Sequence, residues 1–128
     1  MVMETQYDLA GQVIGYAMRI HSTLGMGFVE VVYKRALTFD LRNAGYKVEV
    51  ERPIKVYYRD HVVGDFVADM VINEALIVEL KALEHLAIIH SVQLVNYLIA
   101  TGIEMGLLLN FGAAKLEYKK RSRTKPAA

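Results

Sequence analysis

The chain has 128 residues, 54% hydrophobic and 23% charged, which suits one domain with a real core and is too apolar for a disordered segment. It has no cysteine, so disulfide frameworks and thiolate metal sites are excluded and a reducing cytoplasm is the expected setting. The net charge of +1 is unevenly spread: residues 115–128 hold six basic side chains against Glu117, leaving nine basic and thirteen acidic ones in residues 1–114. Any general attraction to phosphate must then come from the tail or a local patch.

The N-terminal stretch carries Glu4 and Asp8 and no long apolar core, unlike a signal peptide. No run of about 18 apolar residues suggests a membrane span. Apolar residues at 9, 13, 14, 17, 20 and 24 follow a helical period, with Asp8 as N-cap and Gly25 as stop. "EVVYKRALTFDLRNAG" predicts a second amphipathic helix ending at Gly45. From Lys47 to Leu80 the chain turns rich in Val, Ile and Tyr. "KVEVE", "IKVYY", "HVVGDFVADMVI" and "ALIVEL" read as strands, with turn signals at Arg59-Asp60 and Asn73-Glu74. "IIHSVQLVNYLIATG" predicts a helix capped by Gly102, "MGLLLNFG" a buried strand, and "KLEYKKRS" an edge strand or tail. The order α-α-β-β-β-α-β describes an α/β (α+β) domain over residues 1–114, a mixed sheet flanked by helices. Residues 115–128 are expected as a basic strand or a partly disordered, solvated tail.

The strand "IVELK" holds two opposite charges in an apolar run. Alternation puts Ile77, Glu79 and Lys81 on one face. A buried charge must be paired or bound to a metal. Glu79 and Lys81 could satisfy each other, but Asp69 sits in the preceding strand in another apolar segment, "FVADMVI". Loop parity decides whether the two acids meet. A two-residue turn at Asn73-Glu74 pairs Asp69 with Val78 and sends the acids to opposite faces. A three-residue loop, Asn73–Ala75, or a bulge, places Asp69 beside Glu79, with Cα atoms about 4.5–5.5 Å apart. We expect the odd loop or a bulge. Two carboxylates so close call for a hard divalent cation, and a lysine beside it can polarise water and stabilise charge on a phosphoryl group.

These residues resemble the core motif of the PD-(D/E)XK nuclease superfamily, whose restriction-endonuclease-like fold matches the element order above. Asp69, Glu79 and Lys81 fall on the motif positions, although Ala68 replaces the eponymous proline. Gly27 to Tyr33 spells G-x-x-E-x-x-Y, the signature of the small GxxExxY branch. "HSVQLVNYLIATG" and "GLLLNFG" also resemble that branch, so the similarity runs from about Gly15 to Gly112. The resemblance implies Mg²⁺, with Mn²⁺ as substitute, held by Asp69, Glu79 and the backbone carbonyl of Leu80. Lys81 would then act on the attacking water. Glu30 resembles a helix acid that reaches the metal directly or through water; its alternative role is an acid favoured by the dipole at a helix start. Gln93 and Tyr97, at i and i+4, would touch substrate phosphate or orient Lys81. Tyr33 is a further substrate-binding candidate, though an aromatic on an amphipathic helix usually packs in the core. His21, His61, His85 and His90 lack short ligand spacings, so no zinc site is expected; His85 and His90 flank the loop after Lys81, in a solvated or capping role.

The function expected is Mg²⁺-dependent phosphodiester hydrolysis in nucleic acid, DNA before RNA, by a cytoplasmic protein. A minimal core with an acidic body would need a homodimer or partner protein to enclose substrate. The alternatives are a catalytically inactive nuclease-fold module acting as a scaffold, and metal-dependent work on a small phosphorylated compound.

Overall fold

Val13, Ile14, Ala17 and Ile20 recur at helical spacing and are all buried, which is why the first segment folds as a helix and which face it hides. The computed structural model describes residues 8–123. In chain order it contains α1 (Leu9–Leu24), α2 (Glu30–Asn43), β1 (Val48–Tyr58), β2 (His61–Ile72), β3 (Leu76–Lys81), α3 (Ile88–Thr101), β4 (Met105–Asn110) and β5 (Glu117–Ser122). The five strands lie in the order β1-β2-β3-β4-β5, antiparallel except for the parallel β3–β4 pair joined through α3. This is the mixed, helix-flanked sheet the sequence predicts. Among the described residues, no helix is long and apolar enough to cross a membrane.

The helices form two layers. α1 and α2 cover one face of the sheet, burying Tyr33, Leu37 and Leu41 against Met70, Val78, Leu80 and Phe111. α3 covers the other, burying Leu94, Tyr97 and Leu98 against Ala68, Val71, Ile77 and Leu108. Gly106 permits that close approach, since a Cβ there would stand 2.9 Å from Leu94. The expected stops at Gly25, Gly45 and Gly102 all have positive φ. Asp8 sits at the N-cap of α1, but its carboxylate makes no capping hydrogen bond.

Two open choices are decided. "KVEVE" and "IKVYY" join into the single strand β1, which leaves the three strands of the expected order before α3, and "KLEYKKRS" takes its edge-strand alternative as a fifth strand. β5 pairs with β4 from Asn110↔Glu117 to Met105↔Ser122, so the sheet extends beyond residue 114. Tyr118, Lys119 and Lys120 point charge and ring outward from this edge, and lysines on an edge strand discourage pairing with another chain. The disorder expected at the far end falls on residues 124–128, outside the described ones.

β1 also carries a distortion with no sequence signal. Glu51 has φ +53°, and the β1–β2 register skips it between Val50↔Met70 and Arg52↔Ala68. Across this point the faces exchange. Val50 and Met70 pack under α1 and α2, whereas Ile54 and Ala68, at even spacing from them, pack against α3. The outer half of the hairpin is thereby rotated towards α3.

Candidate functional site

The pairs Ile72↔Leu76, Val71↔Ile77 and Met70↔Val78 leave Asn73–Ala75 as a three-residue loop, and the next pair in that register is Asp69 with Glu79. Asn73 and Glu74 both adopt φ +53°, and the Ala75 N–H closes the turn on the Ile72 carbonyl at 3.0 Å. The Asn73 side chain ties the loop to the start of β1 by accepting from the Lys47 N–H at 2.9 Å. The odd loop thus brings the two acids to the same point.

At that point the backbone ladder stops. The Asp69 N–H donates to Glu79 Oε2 at 2.8 Å, and the Leu80 N–H donates to Asp69 Oδ2 at 2.8 Å. Each carboxylate therefore takes a hydrogen bond from the other's strand in place of a backbone carbonyl. Asp69 is also the position opposite the distorted Glu51, so β2 loses ladder pairing on both sides there. The crossed bonds lock both side chains and use one oxygen of each, Asp69 Oδ2 and Glu79 Oε2.

Glu79 is buried, with 6% of its surface exposed. Burial first, and the Asp69 charge second, push its carboxyl up to about 8; the Asp69 N–H and Lys81 pull the other way. The ion pair of Glu79 with Lys81, one way to satisfy both charges, is not formed: no carboxylate among the described residues lies within 4 Å of the Lys81 ammonium. Glu30 is the first residue of α2, beside this centre. Its carboxyl is raised by burial and then by Asp69, while Lys81 and Lys34 lower it. Among the described residues no three acids or histidines converge as a ready-made metal cage. The centre is a pair of carboxylates, with Glu30 near enough to feel Asp69 and not to complete a triad. Two hard carboxylate oxygens are the ligand type that Mg²⁺ takes, together with retained water.

Lys34 is a residue the sequence reading missed. Its Nζ lies 3.9 Å from Asp69 Oδ1, and both side chains are about four-fifths covered. The signal was present, since Lys34 is one turn after Glu30 on the same helical face.

On the other side, Tyr97 from α3 is buried, its phenol raised by burial and then by Glu79 and Asp69. Gln93 stands one turn earlier, half-buried, lining the same groove as Tyr97. Tyr33 is placed differently from a substrate contact. It is wholly buried, stacked on Phe111 with ring centroids 4.6 Å apart, and its hydroxyl donates to the Gly25 carbonyl at 2.6 Å while accepting from the Phe28 N–H at 3.2 Å. Tyr33 thus braces the glycine-rich turn that delivers Glu30. Tyr33→Phe should lower stability by about 1–2 kcal/mol, measured by urea denaturation, and leave any metal affinity of the carboxylate pair within about threefold of wild type. His90 Nδ1 accepts from the Ala87 N–H at 3.0 Å, which makes it a cap for α3.

The comparisons with known proteins come to the same architecture. A sequence model described as the PD-(D/E)XK nuclease superfamily matches residues 7–122. The crystal structure of SSO0001 is similar in fold, with a TM-score of 0.57 at 22% sequence identity. That similarity takes in 74% of this chain and 50% of the other, so the chain spans half the length of that relative. No curated protein shows significant sequence similarity.

Proposed function

The chain belongs to the PD-(D/E)XK nuclease superfamily, and on that premise we propose that it is a Mg²⁺-dependent nuclease, of the GxxExxY branch, hydrolysing phosphodiester bonds in DNA in preference to RNA. The observation that carries this reading is the crossed pair of Asp69 and Glu79 beside Lys81. Asp69, Glu79 and the Leu80 carbonyl are the groups that would hold Mg²⁺, with Glu30 acting through water. Bound there, Mg²⁺ supplies positive charge to the scissile phosphate and acidity to its bound water. Lys81, on the Glu79 face of β3, holds the attacking water or a phosphoryl oxygen by donating from its ammonium. Lys34 balances the charge of Asp69 from α2.

The acidic pair repels a phosphate at the reacting centre until a cation neutralises it, so cleavage should require metal. Wild type should nick or degrade DNA with Mg²⁺ or Mn²⁺, and Glu79→Ala and Lys81→Ala should each lower the rate by about 10³-fold or more. Gel assays of all three proteins with and without EDTA provide the measurement. Variants that cleave as fast as wild type, or cleavage that persists in EDTA, would overturn the reading. A folded wild type that binds metal and DNA yet cuts neither strand would instead be a nuclease-fold binding module acting with a partner protein or as a homodimer.

A further inference from the structure

Between α3 and the rotated outer half of the β1–β2 hairpin runs a groove of about 800 Å³. Phe66 and Tyr57 form its hairpin wall, Tyr97 its inner end, and Gln93 and Asn96 its polar rim. The Phe66 and Tyr97 rings stand 5.8 Å apart, and Tyr97 is the residue whose phenol feels the charges of Glu79 and Asp69. Tyr97 is thus the side chain through which the groove adjoins the carboxylate pair. Large aromatic side chains are left open along it: Phe66 is 42% and Tyr57 62% exposed. Gln93 and Asn96 make no side-chain hydrogen bond among the described residues.

We propose that this groove holds an unpaired nucleobase, which makes single-stranded nucleic acid, rather than continuous duplex, the substrate class of the adjoining carboxylate site. The inference rests on the nuclease reading above and narrows it. In a duplex the base faces are covered by their stacked neighbours, and only edges are offered in the grooves. The walls here are aromatic and aliphatic, which suits a base face. The free amides at the rim suit the hydrogen-bonding edge of a base that has no partner strand. A paired base would first have to be unstacked and swung out, whereas an unpaired one enters without that penalty. The volume lies within the range of pockets for small organic groups, and Tyr97, which lines it, also feels the charges of Glu79 and Asp69.

The test is fluorescence anisotropy of the full chain in EDTA, with a labelled 12-nucleotide DNA strand and with the same strand annealed to its complement. The single strand should bind about tenfold tighter or more. Phe66→Ala and Tyr57→Ala, at exposed positions where folding is checked by thermal melting, should each weaken the single strand by about tenfold and leave the duplex unchanged. Duplex binding equal to or tighter than single-strand binding overturns the inference, as do two folded variants that bind like wild type. So does a gel-filtration dimer that Phe66→Ala dissociates, since a second copy then fills the groove. A protein that keeps the single-strand preference but shows no metal-dependent cleavage overturns the nuclease reading and leaves the groove assignment standing. One that cleaves duplex as readily as single strand does the reverse.

Discussion

In metal-free buffer, Glu79→Gln should become progressively more stable than wild type as pH rises from about 5 to about 9. Glutamine keeps an oxygen to accept the Asp69 N–H and removes the charge that burial and Asp69 disfavour. The carboxyl of Glu79 is raised in the folded chain from its ordinary 4.5 to about 8. A raised group favours folding in its protonated form, so its stabilising contribution is complete below about 4.5 and is lost as pH climbs through about 8. The two proteins should accordingly be nearly equal near pH 5. They should diverge with a slope of up to about 1.4 kcal/mol per pH unit, reaching on the order of a few kcal/mol at pH 9. Mg²⁺ should reverse the order at alkaline pH. A cation between Asp69 and Glu79 favours the ionised form, so it should stabilise wild type, release a proton on binding below about pH 8, and do little for the glutamine variant. Urea denaturation across the pH range, with EDTA or with Mg²⁺, reads both arms, and calorimetry in two buffers counts the proton. A gap that stays flat with pH would mean that Glu79 is not held in the buried, coupled state described.

The same carboxylate shows what a sequence can and cannot disclose. Glu79 and Asp69 stand out because each interrupts an apolar strand, and that interruption is local information. Whether they meet is a question of parity, which the three-residue loop answers through two positive-φ residues, Asn73 and Glu74. Asparagine marks such a turn, but a glutamate at positive φ does not advertise itself, so loop length was legible only as a condition. The helix ends at Gly25, Gly45 and Gly102 were legible because only glycine takes that conformation freely. The kink at Glu51 was not, because it arises from the strand next to it: β2 has no ladder pair to offer at Asp69, and β1 bends away there. That kink turns Phe66 towards Tyr97, so the groove beside the site was also beyond the reach of alternation rules. β5 was ambiguous for a different reason. A lysine-rich edge strand and a solvated tail have nearly the same composition, and only the pairing with β4 separates them. Tyr33 was legible as either packing or chemistry, and the stacking on Phe111 decides for packing.

Asn110→Ala should be the most damaging substitution outside the carboxylate pair, lowering stability by about 3–5 kcal/mol and slowing any cleavage with it. Asn110 is wholly buried at the end of β4, where it lies opposite Lys81 in the parallel register. Its Oδ1 accepts from the Leu83 N–H at 2.8 Å and the Gly112 N–H at 3.1 Å; its Nδ2 donates to the Leu83 carbonyl at 2.9 Å and to Glu117 Oε1 at 2.7 Å. One side chain thus fastens the segment leaving Lys81, the turn after β4 and the first residue of β5. Each bond contributes about 1 kcal/mol, and truncation breaks all four at a wholly buried position. The space is tight enough that a Cβ on Gly112 would lie 2.3 Å from the Leu83 nitrogen, so the loop cannot settle inward to replace the lost bonds. Asn110→Leu, which keeps the branched shape and number of side-chain heavy atoms and removes the bonds, separates hydrogen bonding from cavity formation: it should cost nearly as much as Asn110→Ala if hydrogen bonding dominates. Hydrogen exchange at the Leu83 and Gly112 amides should accelerate in both variants, and urea denaturation gives the loss of stability. The backbone of Lys81 is held independently, its carbonyl accepting from the Phe111 N–H at 2.8 Å. For that reason β3 should persist while the segment after it loosens. Any cleavage defect should then appear in kcat more than in KM. A variant within about 1 kcal/mol of wild type would show that Asn110 is a spectator rather than the fastening between the sheet and its site.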